Sequence, residues 1–269
     1  MKILNIGDVH GRDHWMFSTH GSPYEFNYWK VSVESGATAT AEIWSDMPYY
    51  QYDKIIFVGD YCDSYDLNNE TILQNLENII FFKKALGDRV VLLLGNHDVQ
   101  YIVPNEICSG FRSEMQFDLK RVLSANLNLF KMAHFEQGAN GKWIWSHAGV
   151  TSEWFKELKR DMLHRNFRFL SVSEEFFQEE REVDEVINKA WEMRMDALWN
   201  VDHYSGGIDL WAGPIWVRPG VLESWKIEGY NQVVGHTKQK ALHKVDFQDY
   251  SLHYIDVPYL DIDPLVLEI

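Results

Sequence analysis

Short apolar runs, each closed by a turn residue and a polar side chain, recur along this chain. Five carry the pattern, at residues 2–6, 54–58, 89–94, 142–145 and 232–234. Each is β-rich and bounded by turn formers, which predicts a buried strand. Each stops at glycine or serine followed by a side chain able to bind a metal: Gly7-Asp8, Gly59-Asp60, Gly95-Asn96, Ser146-His147 and Gly235-His236. Between the second and third runs, Ile72, Leu73, Leu76, Ile79 and Ile80 fall at helical spacing, and Gly87 supplies a stop. Strand, helix, strand in that order predicts parallel strands with a right-handed crossover. Ligands of such sheets sit at the carboxyl ends of the strands, where these polar residues fall.

The rest of the chain is less regular. Residues 241–245 and 250–256 predict a closing antiparallel pair, with Gln248-Asp249 at the turn. Residues 14–52 are rich in aromatics, serine and threonine and show no clear period. Residues 152–199 read as a helical cap or insertion near the site, with Val183, Ile187, Ala190, Trp191, Arg194 and Leu198 near one face. The acidic run 174–185 reads as a solvated helix face.

Composition narrows the class. A chain of 269 residues suits one large domain or two. Its 46% apolar content, with 11 tryptophans, excludes a disordered chain. No apolar run reaches the roughly 18 residues of a membrane span, and the N-terminus lacks a secretion signal. A formal net charge of -15 disfavours polymeric nucleic acid and anionic membranes as partners. Only Cys62 and Cys108 occur, too few for a disulfide framework, so a reducing cytoplasm is expected. Cys62 reads as a small buried hydrophobe rather than a nucleophile.

The strand-end residues make the chemistry. Asp8, His10, Asp60, Asn96, His97, His147 and His236 are oxygen donors and imidazoles, suited to Mn²⁺, Fe or Zn²⁺. No thiolate cluster accompanies them, which argues against structural zinc. The set suffices for two metals if one carboxylate bridges, and two-metal sites activate water for in-line phosphoryl displacement. The glycines before Asp8, Asp60, Asn96 and His236 are read as allowing tight strand-to-loop turns. His14, His20, His134, His164, His203, His243 and His253 fall outside the pattern and read as ordinary residues.

The motifs GDVHG (7–11), GDYCD (59–63), GNHD (95–98), SHAG (146–149) and GHT (235–237) stand in the order found in calcineurin-like metallophosphoesterases, which the sequence resembles. The forms look most like the branch of phosphoprotein phosphatases and symmetrical diadenosine tetraphosphate hydrolases, the latter through HAGVTSEW (147–154). The resemblance implies an α/β fold, a four-layer αββα sandwich in one domain over 1–269 with a helical insertion at 152–199. It implies that Asp8, His10 and Asp60 hold one divalent ion, that Asp60 bridges, and that Asn96, His147 and His236 complete a second, with Mn²⁺ foremost. His97 would be the general acid and Asp63 its orienting partner, while Asp98 reads as turn or supporting residue.

Two departures matter. Phosphoprotein phosphatases read Asp-Arg-Gly where this chain has Asp63-Ser64-Tyr65, so one phosphate-binding arginine is missing. Arg218 in WVRP matches the second such arginine by context, and Arg12 is a further candidate. GHTKQ also lacks the second histidine of many phosphodiesterase-type relatives, which favours the phosphatase-like branch. The leading expectation is therefore a phosphomonoesterase acting on a phosphoprotein or small phosphoester. A diadenosine tetraphosphate or related nucleotide hydrolase is the main alternative, ahead of a nuclease or phosphodiesterase and a non-catalytic binding module.

Overall fold

The computed structural model describes residues 1–34, 47–169, 176, 180–201, 206–257 and 264–269. The strands are β1 (Lys2–Ile6), β2 (Lys54–Phe57), β3 (Val90–Leu93), β4 (Phe130–Lys131), β5 (Ala133–Gly138), β6 (Gly141–Ser146), β7 (Tyr230–Val234), β8 (His243–Asp246), β9 (Ser251–Tyr254) and β10 (Leu265–Glu268). They form two mixed sheets, in the orders β10-β1-β2-β3-β4 and β5-β6-β7-β9-β8. In the first, β1 to β4 run parallel and β10 lies antiparallel on β1. In the second, β6, β7 and β9 run parallel, with β5 and β8 antiparallel at the edges. Helices flank both sheets, giving the expected four-layer αββα sandwich.

Strand alternation builds the layers. Ile3, Ile56, Val58, Val91 and Leu93 point inward and meet Trp143, Trp145 and Val233 of the second sheet. Leu4, Ile6, Ile55, Phe57 and Leu92 point outward and are equally buried, as parallel strands covered on both faces require. Their cover includes α1 (Trp15–His20), α2 (Pro23–Glu34) and α3 (Asn69–Leu86). Asn68 caps α3 by accepting from the Thr71 N–H at 2.8 Å, and Gly87 ends it. Further along are α4 (Asn96–Ile102), α5 (Gln116–Ala125), α6 (Ser152–Phe169), α7 (Val183–Glu192) and α8 (Pro219–Trp225). Ile187 and Ala190 of α7 join Ile144 in a shared core, and Leu222 of α8 joins Val234 and Leu252. Among the described residues, no helix is long and apolar enough to cross a membrane.

The five strand-end runs and the closing pair fall where the pattern placed them. Within the segment 14–52, the described residues form two helices and a 3-10 turn at Pro48–Gln51. Its period is obscure because α1 has only six residues, while α2 buries Phe26 and Trp29 yet exposes Tyr24, Tyr28 and Val31. Strands β4, β5 and β10 were not expected: β4 spans two residues, and β5 mixes buried and half-buried positions. Arg194 does not continue the face of α7, which ends at Glu192. It turns left-handed (φ 54°) and lays its guanidinium over Trp191 at 3.8 Å. His203, residues 35–46, and Glu174, Glu175 and Glu179 of the acidic run lie outside the described residues.

One polar bond joins the sheets through their apolar interface. Trp145 Nε1 donates to Asn5 Oδ1 at 2.7 Å, and Asn5 Nδ2 donates to the carbonyls of Ile3 and Leu265. Asn5→Leu strands the buried indole N–H, so it should lower unfolding stability by about 1–3 kcal/mol in denaturant titration. A neutral result would show that the link carries no net stability.

Candidate metal centre and active site

Five strand ends from both sheets deliver their side chains to one place. Asp8 follows β1, Asp60 follows β2, Asn96 opens α4 after β3, His147 follows β6 and His236 follows β7. The chain turns sharply there: His10 (φ 47°), Asp60 (52°), Asp63 (63°) and His236 (64°) are all left-handed. That conformation is uncommon without glycine and is held only where surrounding structure enforces it.

The glycine reading needs correction. Of the four glycines before Asp8, Asp60, Asn96 and His236, only Gly59 has a positive φ (114°). The others are needed for close approach. A Cβ at Gly95 would land on Asp60 Oδ1, one at Gly235 on Asp8 Oδ1, and one at Gly7 would lie 2.5 Å from the Ile255 carbonyl oxygen.

Two donor groups share Asp60. Asp8, His10 and Asp60 form one, and Asp60, His147 and His236 the other, with the ligand atoms of each group within 4.8 Å of one another. Asn96 Oδ1 joins the second, 3.0 Å from both His147 Nε2 and His236 Nδ1. Nδ1 of His147 faces the Val58 carbonyl at 2.9 Å, and Nδ1 of His10 faces those of Cys62 and Asp63 at 3.2 and 3.1 Å. A carbonyl acceptor fixes the proton on Nδ1 and leaves Nε2 as the lone-pair donor, the tautomer a metal ligand needs. Convergent lone pairs on an amide oxygen and two imidazoles fit a bound cation.

The electrostatics agree. Burial pushes the Asp8 carboxyl up, and the neighbouring Asp256 and Asp60 push it further. Burial alone would raise Asp60 too, but the imidazoles of His147, His97 and His10 hold it far below the carboxylate range. Against burial, Asp60 and Asp8 lift His147 to about 9. Burial, His147 and Arg218 depress His236.

Two carboxylates position these loops. Asp98 accepts the backbone N–H groups of Asp60, Tyr61, Cys62 and Gly95 at 2.8–3.2 Å. It therefore supports the turn, as expected. Asp63 Oδ2 meets His97 Nδ1 at 2.9 Å and also accepts from Gln100 Nε2, while Oδ1 accepts from the Tyr101 hydroxyl. Burial would lower the His97 pKa, but Asp60, Asp63 and the adjoining Cys108 raise it well above the ordinary value. Sequence reading missed Gln100 and Tyr101, though their spacing of three and four residues from His97 on one helix was a usable signal. Asp256 and Cys108 carried no motif.

The two arginines part company. Arg218 Nη1 donates to Thr237 Oγ1 at 3.1 Å, beside His236, and its charge acts on Asp60 and Asp8. Arg12 instead bonds the His10 carbonyl and pairs with Asp66 at 2.5 Å, which Ser64 Oγ also reaches, at 2.6 Å. Arg112 is bonded to the Ser64 and Leu67 carbonyls and the Asn69 side chain. Cys62 is fully buried with its thiol pKa pushed up, as a packing residue should be.

The family model for calcineurin-like phosphoesterases matches residues 1–240. No curated protein matches the sequence. Among solved structures, a cold-active protein-tyrosine phosphatase of a psychrophilic Shewanella species is similar, with a TM-score of 0.51 at 15% identity over 99% of this chain and 75% of that one. The phosphatase domain of the Legionella effector WipB gives a TM-score of 0.41 at 12% identity, over 78% of this chain and 87% of that one. The first likeness shows the fold alone.

Titration calorimetry with Mn²⁺ should reveal two sites, and Asp60→Asn should weaken both. His147 must shed its proton to bind a cation, so affinity for its site should fall as pH drops below about 9. Saturation at one equivalent, or pH-independent uptake, would contradict the shared-carboxylate geometry.

Proposed function

The chain belongs to the calcineurin-like phosphoesterase family and is a metal-dependent hydrolase, and from that premise we propose that its substrates are phosphomonoesters, cleaved in the manner of phosphoprotein phosphatases. The observation that carries the reading is the placement of His97. Its backbone N–H donates to Asp60 Oδ1 at 3.0 Å, its ring lies 5.1 Å from that of His10, and Asp63 holds its Nδ1. An imidazole paired with a carboxylate is thus fixed beside the shared Asp60 without belonging to either donor group.

In this reading Asp8, His10 and Asp60 hold one divalent ion and Asp60, Asn96, His147 and His236 the other, and the bound ions supply Lewis acidity that acidifies water and neutralises phosphoryl oxygens. Mn²⁺ is the foremost candidate, with Fe or Zn²⁺ suited to the same donors. His97 donates its Nε2 proton to the leaving oxygen, and Asp63 keeps the ring oriented and charged. Arg218 grips the phosphoryl oxygens, the natural task of a guanidinium there. Arg12, engaged by Asp66, is assigned no more than a share in the rim of the site. Lys238 occupies the position where a phosphodiesterase-type relative would carry its second histidine. The similarity of HAGVTSEW to nucleotide hydrolases has a packing explanation: Trp154 is buried and donates to the Ala197 carbonyl at 2.9 Å. We further propose one domain over 1–269 with 152–199 as a helical insertion, and a cytoplasmic location, supported by two free cysteines.

Hydrolysis of p-nitrophenyl phosphate, its bis ester and diadenosine tetraphosphate, with and without Mn²⁺, tests the reading. The monoester should be preferred and metal required; preference for either of the others would overturn it. His97→Asn should slow alkyl phosphate turnover by about 10²–10⁴-fold, and activated aryl esters by less, because a good leaving group needs little protonation. Since His97 acts protonated and its pKa is raised, kcat/KM should hold through neutral pH and fall as pH climbs past that raised value. Asp63→Asn should move this alkaline limb to lower pH. Arg218→Ala should lower kcat/KM by about 10- to 150-fold, the worth of one charge-assisted hydrogen bond.

A further inference from the structure

The second donor group reaches, through Asn96, a pocket of about 260 Å³ with both polar and apolar walls. Asn96 lines it, as does Cys108, whose Sγ lies 4.0 Å from His97 Nδ1. Trp216 forms another wall, with its ring centroid 5.6 Å from that of His236 and nearly perpendicular to it, at 84°. Trp199, Ile215, Ile107, Val99 and Val201 add apolar surface, and Ser109 a hydroxyl. No lysine or arginine lines this pocket among the described residues, and its ionisable acid is Glu106. A neighbouring cleft shares Gly206 with it and contains Arg218 and Thr237. Positive charge is therefore placed beside His236, whereas the largest side chains of the pocket near His97 are aromatic and aliphatic.

That division fixes which part of a substrate goes where. The phosphoryl group belongs among the metal donors and Arg218, and the ester oxygen belongs near His97. What the oxygen carries then enters the space between Trp216, Trp199 and Ile107. Resting on the phosphomonoesterase reading above, we propose that this pocket receives the alcohol portion of the substrate and selects aromatic or bulky apolar groups over small ones. Pockets for drug-sized ligands run to about 300–1,000 Å³, so this one suits one or two fused rings. Rings gain by stacking on tryptophan.

The test compares 2-naphthyl phosphate with acetyl phosphate on the Mn²⁺-loaded enzyme. Acetyl phosphate has the better leaving group, so intrinsic reactivity works against the proposal. The expected result is a KM for 2-naphthyl phosphate at least tenfold lower. Ile107→Glu places a charge on a wall whose native side chain is 60% exposed, where it should not disturb folding. It should lower the ratio of kcat/KM for 2-naphthyl over acetyl phosphate at least tenfold, and Trp216→Leu should lower it as well. Equal KM values, or an unchanged ratio in Ile107→Glu, would overturn the pocket assignment and leave the phosphomonoesterase reading intact. Failure to hydrolyse 2-naphthyl phosphate, the phosphomonoester of the two, would overturn both.

Discussion

A single buried carboxylate, that of Asp98, holds the site's two central loops in register. Four backbone N–H groups from two different strand ends terminate on its two oxygens. Asp60 and Gly95 donate to Oδ2, and Tyr61 and Cys62 to Oδ1, so the loops after β2 and β3 are clamped to each other. The left-handed turn at Asp60 is strained, and these bonds over-determine it. Because Asp60 belongs to both donor groups and also accepts from the backbone of His97, each functional distance in the site passes through that clamp.

Around the clamp the fold concentrates charge that burial alone would not tolerate. Asp8 and Asp60 are buried 4.0 and 3.3 Å from the buried His147 imidazole, and the buried Asp98 lies against the Asp60 backbone. Within the cluster the groups compensate one another, with His147 lifted and Asp8 driven toward its neutral form. Bound divalent ions reverse that protonation logic, since they are the largest local charges in such a site. His97 shares in this balance through Asp60. Its partner Asp63 is tied by Gln100 and Tyr101, and the Tyr101 hydroxyl in turn accepts from the Arg112 backbone, so the pair is braced from the α4 side.

The elements that were legible in the sequence were those with two simultaneous signals. A β-rich run ending in glycine and a polar donor marked β1, β2, β3 and β7, and helical spacing with a glycine stop marked α3. The hidden elements had one signal or none. α2 presents Tyr24, Tyr28 and Val31 to solvent, which blurs its period, and β4 and β10 are too short to alternate visibly. For the site, residue type and position identified the donors, because a donor's chemistry is written in its side chain. Orientation is not written there. Arg12 and Arg218 have the same charge, yet Asp66 captures one and Thr237 holds the other beside His236. Asp256 approaches Asp8 only through folding, from a strand end with no recognisable motif.

Gly95 and Gly235 carry a lesson for anyone transplanting this centre onto another sheet. Neither has a left-handed backbone, so a design rule based on torsion angles would accept alanine at both. Yet one methyl at either position would occupy the space of a ligand oxygen, Asp60 Oδ1 or Asp8 Oδ1. A graft that copied every donor side chain onto ordinary strand ends would therefore reproduce the ligands and still close the cavity they surround. The centre is specified as much by the atoms its neighbours lack as by the atoms that bind.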